Sequence, residues 1–232
     1  MNSDNLKPII IAIDGYSSSG KSSMAKALAK AIGYRYVDTG AMYRAVTLWA
    51  MRHDMISPEG QVSPALEAAL PEIKIDFSVQ PDGQHTTLNG EDVEKEIRSL
   101  AVSDNVSYIA AVPYVRHDLV ERQKAYGLQK GIVMDGRDVG TTIFPNAELK
   151  IYVNAPAEVR AERRFKELQQ KGIPATFEEV LENVRTRDHI DTTREVSPLR
   201  RADDAIDLDN SHMTIAQQNE WLIQQYEKAA RS

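Results

Sequence analysis

Cysteine is absent from this chain of 232 residues. That excludes disulfides, thiolate metal sites and a cysteine nucleophile. Histidine is sparse: His53, His85, His117, His189 and His212 lie too far apart in sequence for a zinc motif. Long apolar runs are missing too. The run at 9–13 is far too short to span a bilayer. Residues 1–8 lack the apolar segment of a secretory signal. The chain is therefore expected to be soluble and cytoplasmic, without a membrane partner. Basic charge is in deficit, with 28 Lys and Arg against 34 Asp and Glu, and the net charge of −6 argues against broad nucleic-acid binding. At 42% hydrophobic residues the composition suits a single α/β domain over 1–232, with room for an insertion.

Against these absences stands one motif, Gly15-Tyr16-Ser17-Ser18-Ser19-Gly20-Lys21-Ser22. It fits G-x-x-x-x-G-K-[ST], a phosphate-binding loop. An apolar run ending at Asp14 precedes it, and residues 23–32, rich in strong helix formers, follow. Strand, glycine loop and helix give the pattern its meaning. Loop N–H groups and the helix start face the phosphates. Lys21 supplies a mobile charge to the β/γ-phosphates, and Ser22 can ligate Mg²⁺. Asp14 through Ser22 are thus the candidate ATP-binding residues.

Five short apolar runs, 9–14, 34–38, 131–135, 149–154 and 205–209, read as strands of a parallel sheet buried on both faces. Each ends in Asp or Asn. In open α/β sheets ligands bind beyond the carboxyl ends of the strands, so Asp14, Asp38, Asp135, Asn154 and Asp209 are expected along one edge with the loop. Helices are expected at 41–54, within 94–126 with a break at Pro113, and at 157–170, 177–188 and 214–229. The last has Thr214 as N-cap and Ile215, Leu222, Ile223, Tyr226 and Ala229 on one face. At 73–79 apolar residues alternate instead, the mark of a half-exposed strand. Pro81-Asp82-Gly83 is a turn signal, with 85–89 returning as its partner. A small antiparallel insertion at roughly 60–100 follows. Lys171-Gly172-Ile173-Pro174 breaks two helices, as the tip of a lid at roughly 157–175 or a tight helical turn.

Ile132-Val133-Met134-Asp135 resembles the strand whose carboxylate lies near Mg²⁺ in nucleoside triphosphatases, making Asp135 a second candidate metal ligand beside Ser22. In Gly136-Arg137-Asp138-Val139-Gly140-Thr141, Arg137 can clamp a phosphate while Asp138 accepts from an amino group or another arginine. The alternative is a salt bridge between the two. Thr39 or Asp38 can cap a second anion-binding helix start, with Arg44 one turn in. Arg187, Asp191 and Arg194 share a face if helical, either as a cleft-lining set or as a solvated one. Arg160, Arg163 and Arg164 likewise share a face and repel unless an anion joins them. Two anion-binding helix starts and two arginine clusters imply two phosphate ligands, hence a kinase. Phosphoryl transfer needs positioning and charge neutralisation more than acid/base groups.

These motifs, together and in this order, resemble bacterial cytidylate kinases, part of the P-loop nucleoside monophosphate kinase superfamily. The resemblance runs from about residue 9 to the last helix. It implies a five-stranded parallel P-loop core flanked by helices, with the 60–100 segment as a small antiparallel monophosphate-binding insertion and 157–175 as a helical lid. It implies ATP, Mg²⁺ and CMP or dCMP as ligands and no nucleic-acid partner, and the chain is read as a monomer. Thr39, Arg44, Ser107, Arg116, Arg137, Asp138, Arg187, Asp191 and Arg194 occupy monophosphate-binding positions. Ser107, Arg116 and Asp138 would read the cytosine, Arg187 and Asp191 the sugar, and Arg44, Arg137 and Arg194 the phosphate. Lys21, Arg160, Arg164 and Arg194 are the expected catalytic set. Two residues depart from the family pattern: Tyr16 stands where Pro is common, and Ser18 where Gly is common. Serine tolerates positive φ poorly, so a less regular loop is expected. A kinase for UMP or AMP, and a regulatory ATP-binding module, are the alternatives. No N-K-x-D motif for guanine is present.

Overall fold

A computed structural model describes residues 6–57, 59–81 and 83–231. Most of the N-terminal segment read for a signal, and Asp82 of the 81–83 turn, lie outside the described residues. In chain order the elements are β1 (Ile10–Gly15), α1 (Lys21–Ile32), β2 (Arg35–Asp38), α2 (Thr39–Arg52), α3 (Ala65–Ala69), β3 (Ile75–Gln80), β4 (Gly83–Leu88) and β5 (Glu91–Asp92). Then come α4 (Leu100–Ala111), α5 (Pro113–Tyr126), β6 (Ile132–Gly136), β7 (Leu149–Asn154), α6 (Ala157–Gln170), α7 (Phe177–Thr193), β8 (Ile206–Asp209) and α8 (Ile215–Arg231).

The chain divides into two compact units. The first comprises residues 1–38, 123–193 and 197–232, and the second 39–122 and 194–196. The expected 60–100 insertion is therefore part of a larger unit. Its small sheet shares that unit with α2, α4 and most of α5, and buried Leu66, Ile73, Ile97, Ile109 and Leu119 give the unit a core of its own.

The first unit is built on a parallel sheet of order β2-β6-β1-β7-β8. All five expected strands are present, each within a residue of its expected ends. Near-continuous apolar sequence suits strands with both faces covered. Ile11, Ile13, Val133, Ile151 and Val153 pack with Met24, Ala25 and Leu28 of α1 and with Leu222, Tyr226 and Ala230 of α8. On α8 the buried stripe is Gln218, Leu222, Tyr226 and Ala230, a spacing of four. Ile215, expected inside, is exposed. It is the first residue of the helix, where the cap occupies the chain: Thr214 Oγ1 accepts from Gln217 N at 3.2 Å, and Gln217 Oε1 accepts from Thr214 N at 2.9 Å. This reciprocal pair is a capping box.

In the second unit β3, β4 and β5 form an antiparallel sheet. Along β3 burial declines from Ile75 through half-buried Phe77 to exposed Val79, so alternation holds only where the sheet meets the unit's core. Ser99 caps α4 by accepting from Val102 N, and Val112 is extended. Proline disfavours a helical residue before it, so Pro113 separates α4 from α5.

Candidate functional site

The strand ends gather as the parallel topology requires. Asp38 and Asp135 are register partners at the ends of β2 and β6, and Asn154 and Asp209 at the ends of β7 and β8. Beyond β1 the glycine loop turns directly into α1. Gly15 needs its missing side chain, because a Cβ there would lie 2.3 Å from the Val153 carbonyl oxygen. Gly20, at φ 86°, is the N-cap, and the first turn of α1 contains no acidic residue. The positive helix end is left for an external anion.

Inside the loop, Ser19 Oγ donates to the Tyr16 carbonyl at 3.0 Å and Lys21 Nζ reaches the same oxygen at 3.4 Å. Burial pushes the Lys21 ammonium down to about 7, with Arg137 adding to the effect. Ser18 takes φ 57°, left-handed backbone for a residue with a Cβ. Against the expected irregularity, the loop keeps a glycine-like conformation at a serine. Tyr16 stands edge-on to Tyr152, with the Arg160 guanidinium 4.8 Å from its ring centre.

Ser22 Oγ donates to Asp135 Oδ2 at 2.7 Å, and Tyr36 OH donates to Asp135 Oδ1 at 2.6 Å. Burial, reinforced by the Asp38 charge, raises the Asp135 pKa. A hydroxyl and a carboxylate in contact form an all-oxygen donor pair, which fits Mg²⁺ with substrate phosphates completing its shell. Among the described residues there is no cluster of three or more His, Cys, Asp or Glu able to hold a metal by itself.

Asp14 is buried at the end of β1. It accepts from Val139 N at 2.8 Å and Gly140 N at 2.7 Å. These donors open the π-helical turn Val139–Ile143, directly after Arg137 and Asp138. Burial outweighs the two N–H donors and pushes the Asp14 carboxyl up to about 7. Asp14 was expected on ATP; here its oxygens hold the Asp138 turn. Arg137 pairs with a residue far along the chain. Its Nε donates to Asp191 Oδ2 at 2.8 Å, from the last turn of α7. Beside them Arg187 Nε is buried without a hydrogen-bond partner, and burial plus the Arg137 charge lowers its pKa to about 10.

The α6 arginines each go to partners of their own. Arg160 is buried, with Nη1 and Nη2 on Asp188 at 3.0 and 2.5 Å, Nε on the Ala155 carbonyl at 2.8 Å and Nη1 on the Ser17 carbonyl at 3.1 Å. Arg163 bonds Ser19 and Asn210, and Arg164 bonds Glu167 at 2.9 Å. The expectation that an anion must join the three is corrected, since protein groups already relieve their repulsion. Spacing on a helix does not reveal what packs against it. Asp188 and Asn210 were missed. Asn210 directly follows a strand ending in Asp, which was a usable signal.

In the second unit Thr39 is the first residue of α2. Arg44 is tied down, its Nη1 donating to the Ile97 carbonyl at 2.9 Å and Ser103 Oγ at 3.0 Å. Ser107 is buried on α4. Arg116 on α5 is almost wholly buried, with Nη1 on the Ala110 carbonyl at 3.0 Å and its guanidinium 5.4 Å from the Tyr43 ring centre. Arg194, also buried, follows the end of α7. Of the nine positions expected to bind the monophosphate, Arg137, Asp138, Arg187 and Asp191 belong to the first unit, and Thr39, Arg44, Ser107, Arg116 and Arg194 to the second.

Among the described residues no helix is long and apolar enough to cross a membrane. The sequence matches the family model described as cytidylate kinase over residues 11–228. It is 57% identical to a cytidylate kinase of Parabacteroides distasonis over 98% of this chain and the whole of that protein. It is 56% identical to one of Phocaeicola vulgatus over 97% of this chain and 99% of that protein, and 55% identical to one of Flavobacterium johnsoniae over 92% and 94%. A phosphate loop, its paired serine and aspartate, and a match spanning nearly the full length agree: this chain is a nucleotide kinase belonging to the cytidylate kinase family.

Proposed function

We propose that the protein transfers the γ-phosphoryl group of ATP directly to the phosphate of CMP or dCMP, giving ADP and CDP or dCDP. The observation that carries this reading is the loop Gly15–Ser22 meeting Asp135 through Ser22, in a chain that matches the cytidylate kinase model almost throughout. The loop binds the triphosphate through its N–H groups and the start of α1. Lys21 follows the β/γ-phosphates; their negative charge raises its pKa and keeps it an ammonium. Ser22 and Asp135 would hold Mg²⁺, which neutralises charge on the phosphates when bound.

For the acceptor, Arg44, Arg137 and Arg194 bind its phosphate and cancel its repulsion towards ATP. Arg187 and Asp191 meet the sugar. Asp138 accepts from the cytosine amino group, with Ser107 and Arg116 completing the base site. A base that offers a carbonyl in place of the cytosine amino group sets oxygen against oxygen at Asp138, which discriminates strongly. The acceptor phosphate oxygen attacks in line, so no protein base is required. Arg164 and Arg194 are proposed to balance charge during transfer.

The test is product analysis with ATP, Mg²⁺ and CMP. The expected result is one CDP per ADP, with little ADP formed when CMP is omitted. ADP release without an acceptor product would favour the regulatory ATPase reading.

A further inference from the structure

Two carbonyls of the glycine loop are held from outside the loop. Arg160 Nη1 donates to the Ser17 carbonyl at 3.1 Å. Two residues on, the Ser19 carbonyl accepts from Asn210 Nδ2 at 2.8 Å and from Arg163 Nη1 at 3.3 Å. Arg163 and Asn210 also lock each other: Arg163 Nη1 donates to Asn210 Oδ1 at 3.0 Å and Nη2 to the Asn210 carbonyl at 2.8 Å. Asn210 is buried, and Gln218 of α8 adjoins its amide at 3.5 Å. The Arg163 bonds go to neutral acceptors, although burial lowers its pKa. An arginine placed for charge alone would not use its fork in this way.

We propose that Arg160, Arg163 and Asn210 are positioning residues that set the phosphate-binding form of the loop by pinning the Ser17 and Ser19 carbonyls outward. A trans peptide is planar, so its C=O and N–H point in opposite directions. Among the described residues no peptide bond is cis. Fixing the Ser17 and Ser19 carbonyls therefore aims the N–H groups of Ser18 and Gly20 away from the clamp, to the side where an anion is cradled. The same two peptides flank Ser18 and Ser19. Left-handed backbone at a serine persists only where its surroundings over-determine it, and the clamp on either side supplies that constraint. Arg160 thereby leaves the catalytic set: Ser17, Ala155 and Asp188 already hold its donors.

The inference rests on the reading that this loop holds the donor triphosphate. The test measures ATP and inorganic tripolyphosphate binding by competition against a fluorescent ATP analogue, with CMP KM and thermal midpoint measured alongside. Asn210 carries no charge, so Asn210→Ala isolates geometry. It should weaken ATP and tripolyphosphate alike, each by about tenfold, with CMP KM changed less than twofold. Arg163→Lys keeps the charge and loses the fork. It should cost about as much, and the double variant little more, because both act on one carbonyl. Loss of ATP binding with tripolyphosphate unaffected would place Asn210 on the base and overturn the clamp. So would unchanged binding of both ligands, or an equal loss for CMP. If Asn210→Ala does not fold, Arg163→Lys decides by the same criteria. A wild-type protein that binds neither ligand would remove the donor-site reading itself, and the clamp with it.

Discussion

Replacing Arg160 with methionine removes a buried cation that is shared by an ion pair, two carbonyls and an aromatic ring. Asp188, 16% exposed in its side chain, then keeps a carboxylate that has lost both guanidinium bonds. Breaking a buried pair from one side costs about 3–5 kcal/mol. The remaining exposure of Asp188 pulls the value to the lower end. The carbonyls of Ala155 and Ser17 add about 1 kcal/mol between them. We expect Arg160→Met to lose about 4 kcal/mol, or roughly 10 °C in midpoint for a chain of this size. Asp188→Leu strands the arginine instead and should cost about 3 kcal/mol. The double variant leaves no unpaired charge, so the costs should fall short of additivity by about 2 kcal/mol. Trp221 lies on α8 of the first unit and Trp49 on α2 of the second. Urea unfolding followed by fluorescence in a Trp49→Phe background therefore reports the unit that contains the pair. Additive costs, or an Arg160→Met midpoint equal to wild type, would refute the claim that this arginine is held by the protein.

Other outcomes follow from the same geometry. Asp14 has its pKa raised to about 7 from 3.8 by burial, so its contribution to stability is full below 3.8 and lost as pH rises through 7. The stability advantage of wild type over Asp14→Asn should shrink by about 2–3 kcal/mol between pH 5 and pH 8, and a pH-independent difference in urea midpoints would contradict it. Gly15→Ala places a Cβ 2.3 Å from a backbone oxygen in the neighbouring strand, so it should lose several kcal/mol, at least about 3; a midpoint within 2 °C of wild type would show that β1 and β7 can part. Asp138→Ala should cut the preference for CMP over UMP by about tenfold or more, and an unchanged ratio of kcat/KM would remove Asp138 from base recognition.

The parallel core was legible because each strand carries its own punctuation, an apolar run closed by Asp or Asn, and β7 and α6 begin and end where the sequence places them. Lys150 sits inside β7 without breaking that pattern, since its stem packs beside Gly140 and its ammonium reaches Asp204 at 2.8 Å. Less was legible where structure depends on packing across the chain. β5 is two residues long and has no period to read. The α7 helix was expected to stop at Asp188 but continues to Thr193, where Thr192 and Thr193 hydroxyls bond back to the carbonyls of Asp188 and His189. The extension puts Asp191 on a helix, where it meets Arg137. The α6 arginines were visible as a cluster, yet their partners Asp188, Asn210 and the loop carbonyls come from segments 17 to 210 that only the fold brings together.

The proposed acceptor is a cytidine monophosphate. Initial rates with saturating ATP and Mg²⁺ across CMP, dCMP, UMP and AMP test it most directly. We expect the highest kcat/KM for CMP or dCMP, with UMP and AMP well below; a preference for UMP or AMP would overturn the cytidine assignment.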